Sequence, residues 1–178
     1  TGRVLEFHED PLGRWAEQTI MLKNKKKITF ITAYRPCTTK IDPTTETVVA
    51  QQFKALKRLK TNRHPRVQFD HDLRLFIKQK QTLEHEIVLG IDANLDQPDD
   101  KIFDNLRDSC DLIDILAKRH GNPIGTHRKG NRLDIILGTQ FVMDNIIAAG
   151  SLHEKDSTES DHTAIFIDLN NSIFQKKQ

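Results

Sequence analysis

A layered α/β domain is predicted for this sequence, on three observations. Its 178 residues fit one domain of ordinary size. Branched apolar residues gather in short runs, at 28–33 and 87–90, so the chain can bury a core and does not read as disordered. The patterns run strand, helix, helix, strand, helix and then several strands, without the regular alternation of a doubly wound sheet. Residues 1–178 read as a single domain, with no internal repeat, low-complexity segment or linker. Apolar residues make up 37% and charged residues 29%, and no apolar run approaches the roughly 18 residues that would span a bilayer.

The first strand follows the basic run Lys25-Lys26-Lys27. Ile28-Thr29-Phe30-Ile31-Thr32-Ala33-Tyr34 is β-branched and aromatic, and Arg35-Pro36 ends it. A polar loop rich in threonine (Thr38, Thr39, Thr44, Thr45) follows. Residues 46–60 carry Val49, Phe53, Leu56 and Lys60 on one helical stripe, flanked by Lys54, Lys57 and Arg58. A breaker at 62–65 separates this from a second stripe, Phe69, Leu73, Phe76 and Ile77, that runs to about Leu83. Residues 86–90 form another buried strand, which ends in the polar turn Asp92-Ala93-Asn94. Residues 102–119 are expected to form one helix, with Leu106, Cys110, Ile113 and Leu116 on one side and Gly121 as its stop. Residues 132–138 and 141–149 read as strands, or as a strand with a short turn, and 163–169 as the last strand. The Lys176-Lys177 tail is expected to fray.

Chemistry is suggested by where polar residues sit relative to these strands. Asp92 and Asn94 leave the end of a buried strand, the place where α/β sheets present side chains to an open crevice. An Asp there can orient water or hold a metal, and an Asn can donate an amide to a phosphoryl oxygen; the same pair also reads as a plain Asx turn. Asp134 lies inside the apolar run Leu133-Asp134-Ile135-Ile136-Leu137, where a carboxylate is expensive to bury without a partner. A histidine suits it, because an ionised Asp fixes the tautomer and supports the imidazolium. Ser160-Asp161-His162 brings an acid and an imidazole to the entrance of the last strand, where a solvated turn is the alternative reading. Together these residues suit hydrolysis of a phosphate ester with Mg²⁺, or Mn²⁺, held by few carboxylates.

Four segments then carry a resemblance. Ile31-Thr32-Ala33-Tyr34-Arg35-Pro36, Leu89-Gly90-Ile91-Asp92-Ala93-Asn94, Arg132-Leu133-Asp134-Ile135-Ile136-Leu137 and Ser160-Asp161-His162 resemble, in order, the motifs of the endonuclease/exonuclease/phosphatase superfamily. The resemblance spans residues 13–169. It is strongest to retroelement-associated, exonuclease III-like endonucleases, extending to Gly13-Arg14-Trp15 and Thr126-His127-Arg128-Lys129-Gly130. It implies a four-layered α/β sandwich of two packed sheets with outer helices. It also implies roles: Tyr34 contacts the scissile phosphate, Asp92 activates water, Asn94 holds a phosphate oxygen, Asp134 orients His162, and His162 stabilises charge or helps proton transfer. Asp161, with Asp92, would lie at the metal site. Ala93, Ile91 and Cys37 depart from the family pattern, and Cys37 stands where an Asn is usual. The family's opening strand and its main metal-ligating Glu have no counterpart, since neither Glu6 nor Glu9 has a matching context. The chain is therefore expected to match the C-terminal two-thirds of the family domain, with its activity weakened. Thr1-Gly2-Arg3 reads as an internal beginning, with neither an initiator Met nor a signal-peptide core.

Charge is nearly balanced, with 27 Lys and Arg against 25 Asp and Glu, so clustering decides whether nucleic acid is a partner. Two clusters stand out: Lys54, Lys57, Arg58, Lys60, Arg63 and Arg66, and the loop residues Arg128, Lys129 and Arg132. The first reads as a solvated helix face; the second is expected to cross a DNA backbone beside Asp134. Cys37 and Cys110 are too few for a disulfide framework, so an intracellular setting is expected, in nucleus or cytoplasm. DNA is the expected partner and a membrane is not. The resemblance adds an N-terminal segment, or a reverse transcriptase domain, of a parent protein. The function expected is endonuclease cleavage of DNA. A catalytically inactive nucleic-acid-binding remnant and a phosphatase acting on a small or lipid phosphate are the alternatives.

Overall fold

The computed structural model describes residues 3–37, 41–95, 101–121, 125–152 and 160–174. Thr38 and Thr39 of the polar loop and the lysines of the tail lie outside these. Strands β1 (Arg3–Glu9), β2 (Trp15–Met21) and β3 (Lys27–Tyr34) form an antiparallel meander. Neither β1 nor β2 is predicted by the sequence pattern. Helices α1 (Val48–Arg58) and α2 (Pro65–Thr82) then carry the chain back to β4 (His85–Asp92), which pairs parallel to β3. Both helices start on signals written in the sequence. The Thr47 side chain caps α1 by accepting from the Ala50 amide, and α2 begins with Pro65, whose missing N–H is not needed at that position.

The single helix expected over 102–119 is two helices. After α3 (Lys101–Ser109) the chain turns at Asp111, where φ is 49°, and the Leu112 amide returns to the Arg107 carbonyl at 3.0 Å. A short strand, β5 (Ile113–Asp114), precedes α4 (Ile115–His120). Gly121 stops α4 in the left-handed region, at φ 77°. Residues 140–144 form a short helix, α5 (Gln140–Asp144), between β6 (Asp134–Gly138) and β7 (Ile146–Ser151); β8 (Ile165–Leu169) closes the fold.

The strands make a six-stranded sheet, β1-β2-β3-β4-β6-β5, and a separate pair, β7-β8. Alternation along β3, β4 and β6 sends Ile31, Ile87, Leu89, Ile91, Ile135 and Leu137 to one face. There they meet Phe69, Leu73 and Ile77 of α2 and Phe103 and Leu106 of α3. Each such side chain contributes about 1.5–3 kcal/mol on full burial. The other face, with Ile28, Val88 and Ile136, packs against Ile115 and Leu116 of α4, Val142 of α5, and Ile146, Ile165 and Ile167 of the β7-β8 pair.

Two sheets are therefore packed together, but the arrangement differs from four complete layers. The second sheet has two strands, and α4 and α5 lie beside it. Its outward side chains Ile147 and Phe166 are exposed, so among the described residues no helix roofs that face. No helix among the described residues is long and apolar enough to cross a membrane.

Candidate active site

The hydrogen-bond register places the candidate residues in one row. Tyr34 of β3 pairs with Asp92 of β4, and Asp92 pairs with Asp134 of β6. Residues in register across neighbouring strands share a face, here the face that carries Ile28, Val88 and Ile136. Tyr34 and Asp92 sit at the carboxyl ends of the two parallel strands, and antiparallel β6 begins at that same end with Asp134. His162, just before β8, reaches the row: its Nδ1 lies 2.8 Å from Asp134 Oδ2. Ligand atoms of Asp92, Asp134 and His162 all lie within 4.8 Å of one another.

Asn94 sits at φ 46°, a left-handed conformation that Asn tolerates, so the chain turns sharply after β4. Its amide N–H donates to Asp92 Oδ1 at 3.1 Å and its side-chain Nδ2 donates to the Arg35 carbonyl at 2.7 Å. Asn94 also hydrogen-bonds Tyr34, although burial is the larger influence and raises the phenol above its ordinary pKa.

Beneath this turn lie residues to which the sequence gives no role in the site. Arg35 is fully buried and holds Asp70 of α2 through two contacts, Nε to Oδ1 at 2.7 Å and Nη2 to Oδ2 at 2.5 Å. Arg66 donates to the Pro36 carbonyl at 2.9 Å and to the Asn94 carbonyl at 2.7 Å, tying together the segments that leave β3 and β4. It therefore departs from the basic surface cluster assigned to it: it is buried, because those carbonyls would otherwise lose their donors.

A second segment frames the site. Thr126 is buried and its Oγ1 accepts from the Leu133 and Asp134 amides at 2.9 and 2.8 Å, while its carbonyl accepts from Thr163 at 2.7 Å. His127 bridges His162 in a β-type contact, and its Nε2 lies 3.2 Å from Asp161 Oδ2. That bond holds the exposed Asp161 carboxyl below its ordinary pKa. Asp92 and Asp161 thus fall in two clusters that share His162. The contacts of Thr126 with Thr163 and of His127 with Asp161 and His162 are long-range, so local pattern gives no signal for them. Arg128 and Lys129 are exposed on this loop, but Arg132 is turned inward, with both terminal nitrogens on the Asp114 carboxylate at 2.6 and 2.7 Å. Cys37 is half-buried beside the site.

The electrostatics are those of an acidic cluster around His162. The hydrogen bond from Asp134 raises the His162 pKa, with further help from Asp92 and Asp161. Burial raises Asp92 above the ordinary carboxylate value, and Asp134 adds to this. Three carboxylates around one imidazole would repel a phosphate. Asp92 and Asp134, on adjacent strands, offer the few hard oxygen donors with which Mg²⁺ is held while water or phosphate fills its other positions. The donor chemistry fits that ion.

In the arrangement of its sheet and helices the chain is similar to solved nucleases and phosphatases, a likeness of fold. Among solved structures it is similar to the 3′ phosphatase NExo from Neisseria bound to a product DNA hairpin, with a TM-score of 0.65 and 18% identity over 95% of this chain and 72% of that one. The AP endonuclease LMAP from Leishmania major gives 0.66 and 15%, covering 89% of this chain and 55% of its own length. An AP endonuclease from Archaeoglobus fulgidus gives 0.65 and 16%, over 94% and 72% of the two chains. Neither a protein-family model nor a curated protein matches the sequence.

Proposed function

We propose that this chain, as a single domain, hydrolyses phosphodiester bonds of DNA with Mg²⁺ or Mn²⁺, in the manner of a retrotransposon-type endonuclease. The observation that carries this is the row Tyr34–Asp92–Asp134 with His162 Nδ1 at 2.8 Å from Asp134. The fold likeness supports the reaction class, and the sequence segments around Trp15 and Thr126 support the retroelement branch.

In this reading Asp92 orients the attacking water and takes its proton. Asp134 holds the proton on Nδ1 of His162 and favours the imidazolium, whose Nε2–H would meet the charge growing on the phosphoryl oxygens. Asn94 donates to the Arg35 carbonyl and hydrogen-bonds Tyr34; a phosphate oxygen would take the amide hydrogen now given to Tyr34. The Tyr34 hydroxyl contacts the scissile phosphate. Asp92 would hold the metal ion, with Asp134 beside it in place of the expected Asp161, which falls in the second cluster with His127; the ion supplies neutralisation of phosphate charge.

Nicking of supercoiled plasmid tests this. With Mg²⁺ the chain is expected to nick, EDTA to stop it, and Asp92→Ala or His162→Ala to slow it by about 10²-fold or more. Nicking that persists in the doubly substituted chain overturns the assignment.

A further inference from the structure

We propose that His127, Asp161 and His162 form a binding site for a divalent transition ion of the Zn²⁺ type, distinct in its donors from the Asp92 and Asp134 carboxylates. Their ligand atoms lie within 4.8 Å of one another. The backbone holds the two segments that carry them: His127 bridges His162, the Arg128 amide donates to the Asp161 carbonyl at 2.8 Å, and the Thr163 amide donates to the Thr126 carbonyl at 2.7 Å. The imidazoles meet edge to face, with ring centroids 5.5 Å apart.

The donor set decides which ion fits. Two imidazoles and one carboxylate suit Zn²⁺ or Co²⁺, whereas Mg²⁺ takes oxygen ligands. His162 is already arranged as a metal-binding imidazole. Asp134 fixes the proton on Nδ1, which leaves the Nε2 lone pair for an ion; a carboxylate behind a ligating histidine is the usual supporting arrangement. His127 needs one adjustment. Its Nδ1 accepts from the Lys129 amide at 3.2 Å and its Nε2 faces Asp161. An ion at Nε2 replaces the proton there, which moves to Nδ1 and releases the Lys129 amide to water. The Asp161 side chain is 61% exposed, so an ion enters from solvent and water completes its shell.

An ion here occupies the His162 Nε2 that faces phosphate in the proposed reaction, so Zn²⁺ inhibits the Mg²⁺-supported chemistry. That consequence rests on the proposed hydrolysis; the site itself does not.

The test is a Co²⁺ titration read by visible absorption, followed by displacement with Zn²⁺, on the full chain and on His127→Ala, Asp161→Asn and His71→Ala variants. The expected result is saturable Co²⁺ bands, Zn²⁺ affinity weakened at least about tenfold by each of the first two substitutions, and no change in His71→Ala. Wild-type affinity in His127→Ala and Asp161→Asn overturns the site, as does an equal loss in His71→Ala or a wild-type chain that gives no bands. In plasmid nicking, His127→Ala is expected to need at least about tenfold more Zn²⁺ for inhibition than wild type. Equal sensitivity overturns the inhibitory role. A chain that binds Zn²⁺ through these residues but nicks no plasmid upholds the site and overturns the proposed hydrolysis.

Discussion

Asp92 is held between opposed influences. Burial raises its pKa and Asp134 across the ladder adds to that, while the Asn94 amide, His162 and Arg66 pull the other way; the balance is upward. A carboxyl whose folded value exceeds its unfolded one favours the protonated fold, so above that folded value the ionised group opposes folding. Asp92→Asn keeps an oxygen for the Asn94 amide and removes the charge. It is therefore expected to raise Tm at neutral pH, with a gain that shrinks to nothing below the unfolded carboxylate value of about 3.9. Thermal melts across a pH series check this, and a neutral-pH Tm at or below wild type contradicts it. His162 works in the reverse sense. The Asp134 bond raises its pKa, so the pair's contribution to stability is complete below about pH 6.5 and fades as pH rises through the folded value.

At the scale of elements, the loop before β6 depends on one hydroxyl. Thr126 Oγ1 accepts from two successive amides, those of Leu133 and Asp134. Thr126→Val keeps the shape and strands both donors, an expected loss of about 2 kcal/mol in urea unfolding together with slower nicking. The elements also show what local pattern reveals. Phe69, Leu73 and Ile77 recur at helical spacing and all are buried in α2, so that helix was readable. The break after α3 was not, because Cys110 and Leu112 stay on the same core on both sides of Asp111 and the periodicity runs straight through. The β1-β2 hairpin escaped for another reason. Glu17 and Thr19 of β2 are buried, which breaks the apolar alternation that marks a strand. Their partners are remote: Lys80 lies 2.6 Å from Glu17, and Thr19 bonds Thr29, which bonds His85. Asp92, Asn94, Asp134 and His162 were legible as candidates because polar groups at strand ends stand out. Arg35, Arg66 and Asp70 were not, because their burial depends on α2 docking under the turn.

For the whole molecule, a formal charge of +2 supplies no strong general field. The DNA affinity that the proposed function requires must then come from local contacts, with Arg128 and Lys129 exposed on the loop and Arg132 committed to Asp114. Affinity is expected to fall with salt, and the log–log slope to lose about one unit for each of Arg128→Ala and Lys129→Ala, with little change for Arg132→Ala. Fluorescence anisotropy on a labelled duplex measures this, and a flat salt response contradicts it. The transverse row Tyr34–Asp92–Asp134 has a further consequence, for insertions and deletions. Its spacing is the distance between paired strands, about 4.8 Å, and no loop sets it. The loops that join β3, β4 and β6 can change length without moving these three side chains apart. Deleting one residue within β4 turns Asp92 to the opposite face, and deleting two restores the face but shifts the carboxylate by about 6.6 Å along the strand. Length variants of this fold that keep the chemistry should thus differ in their loops and never by a residue inside these three strands.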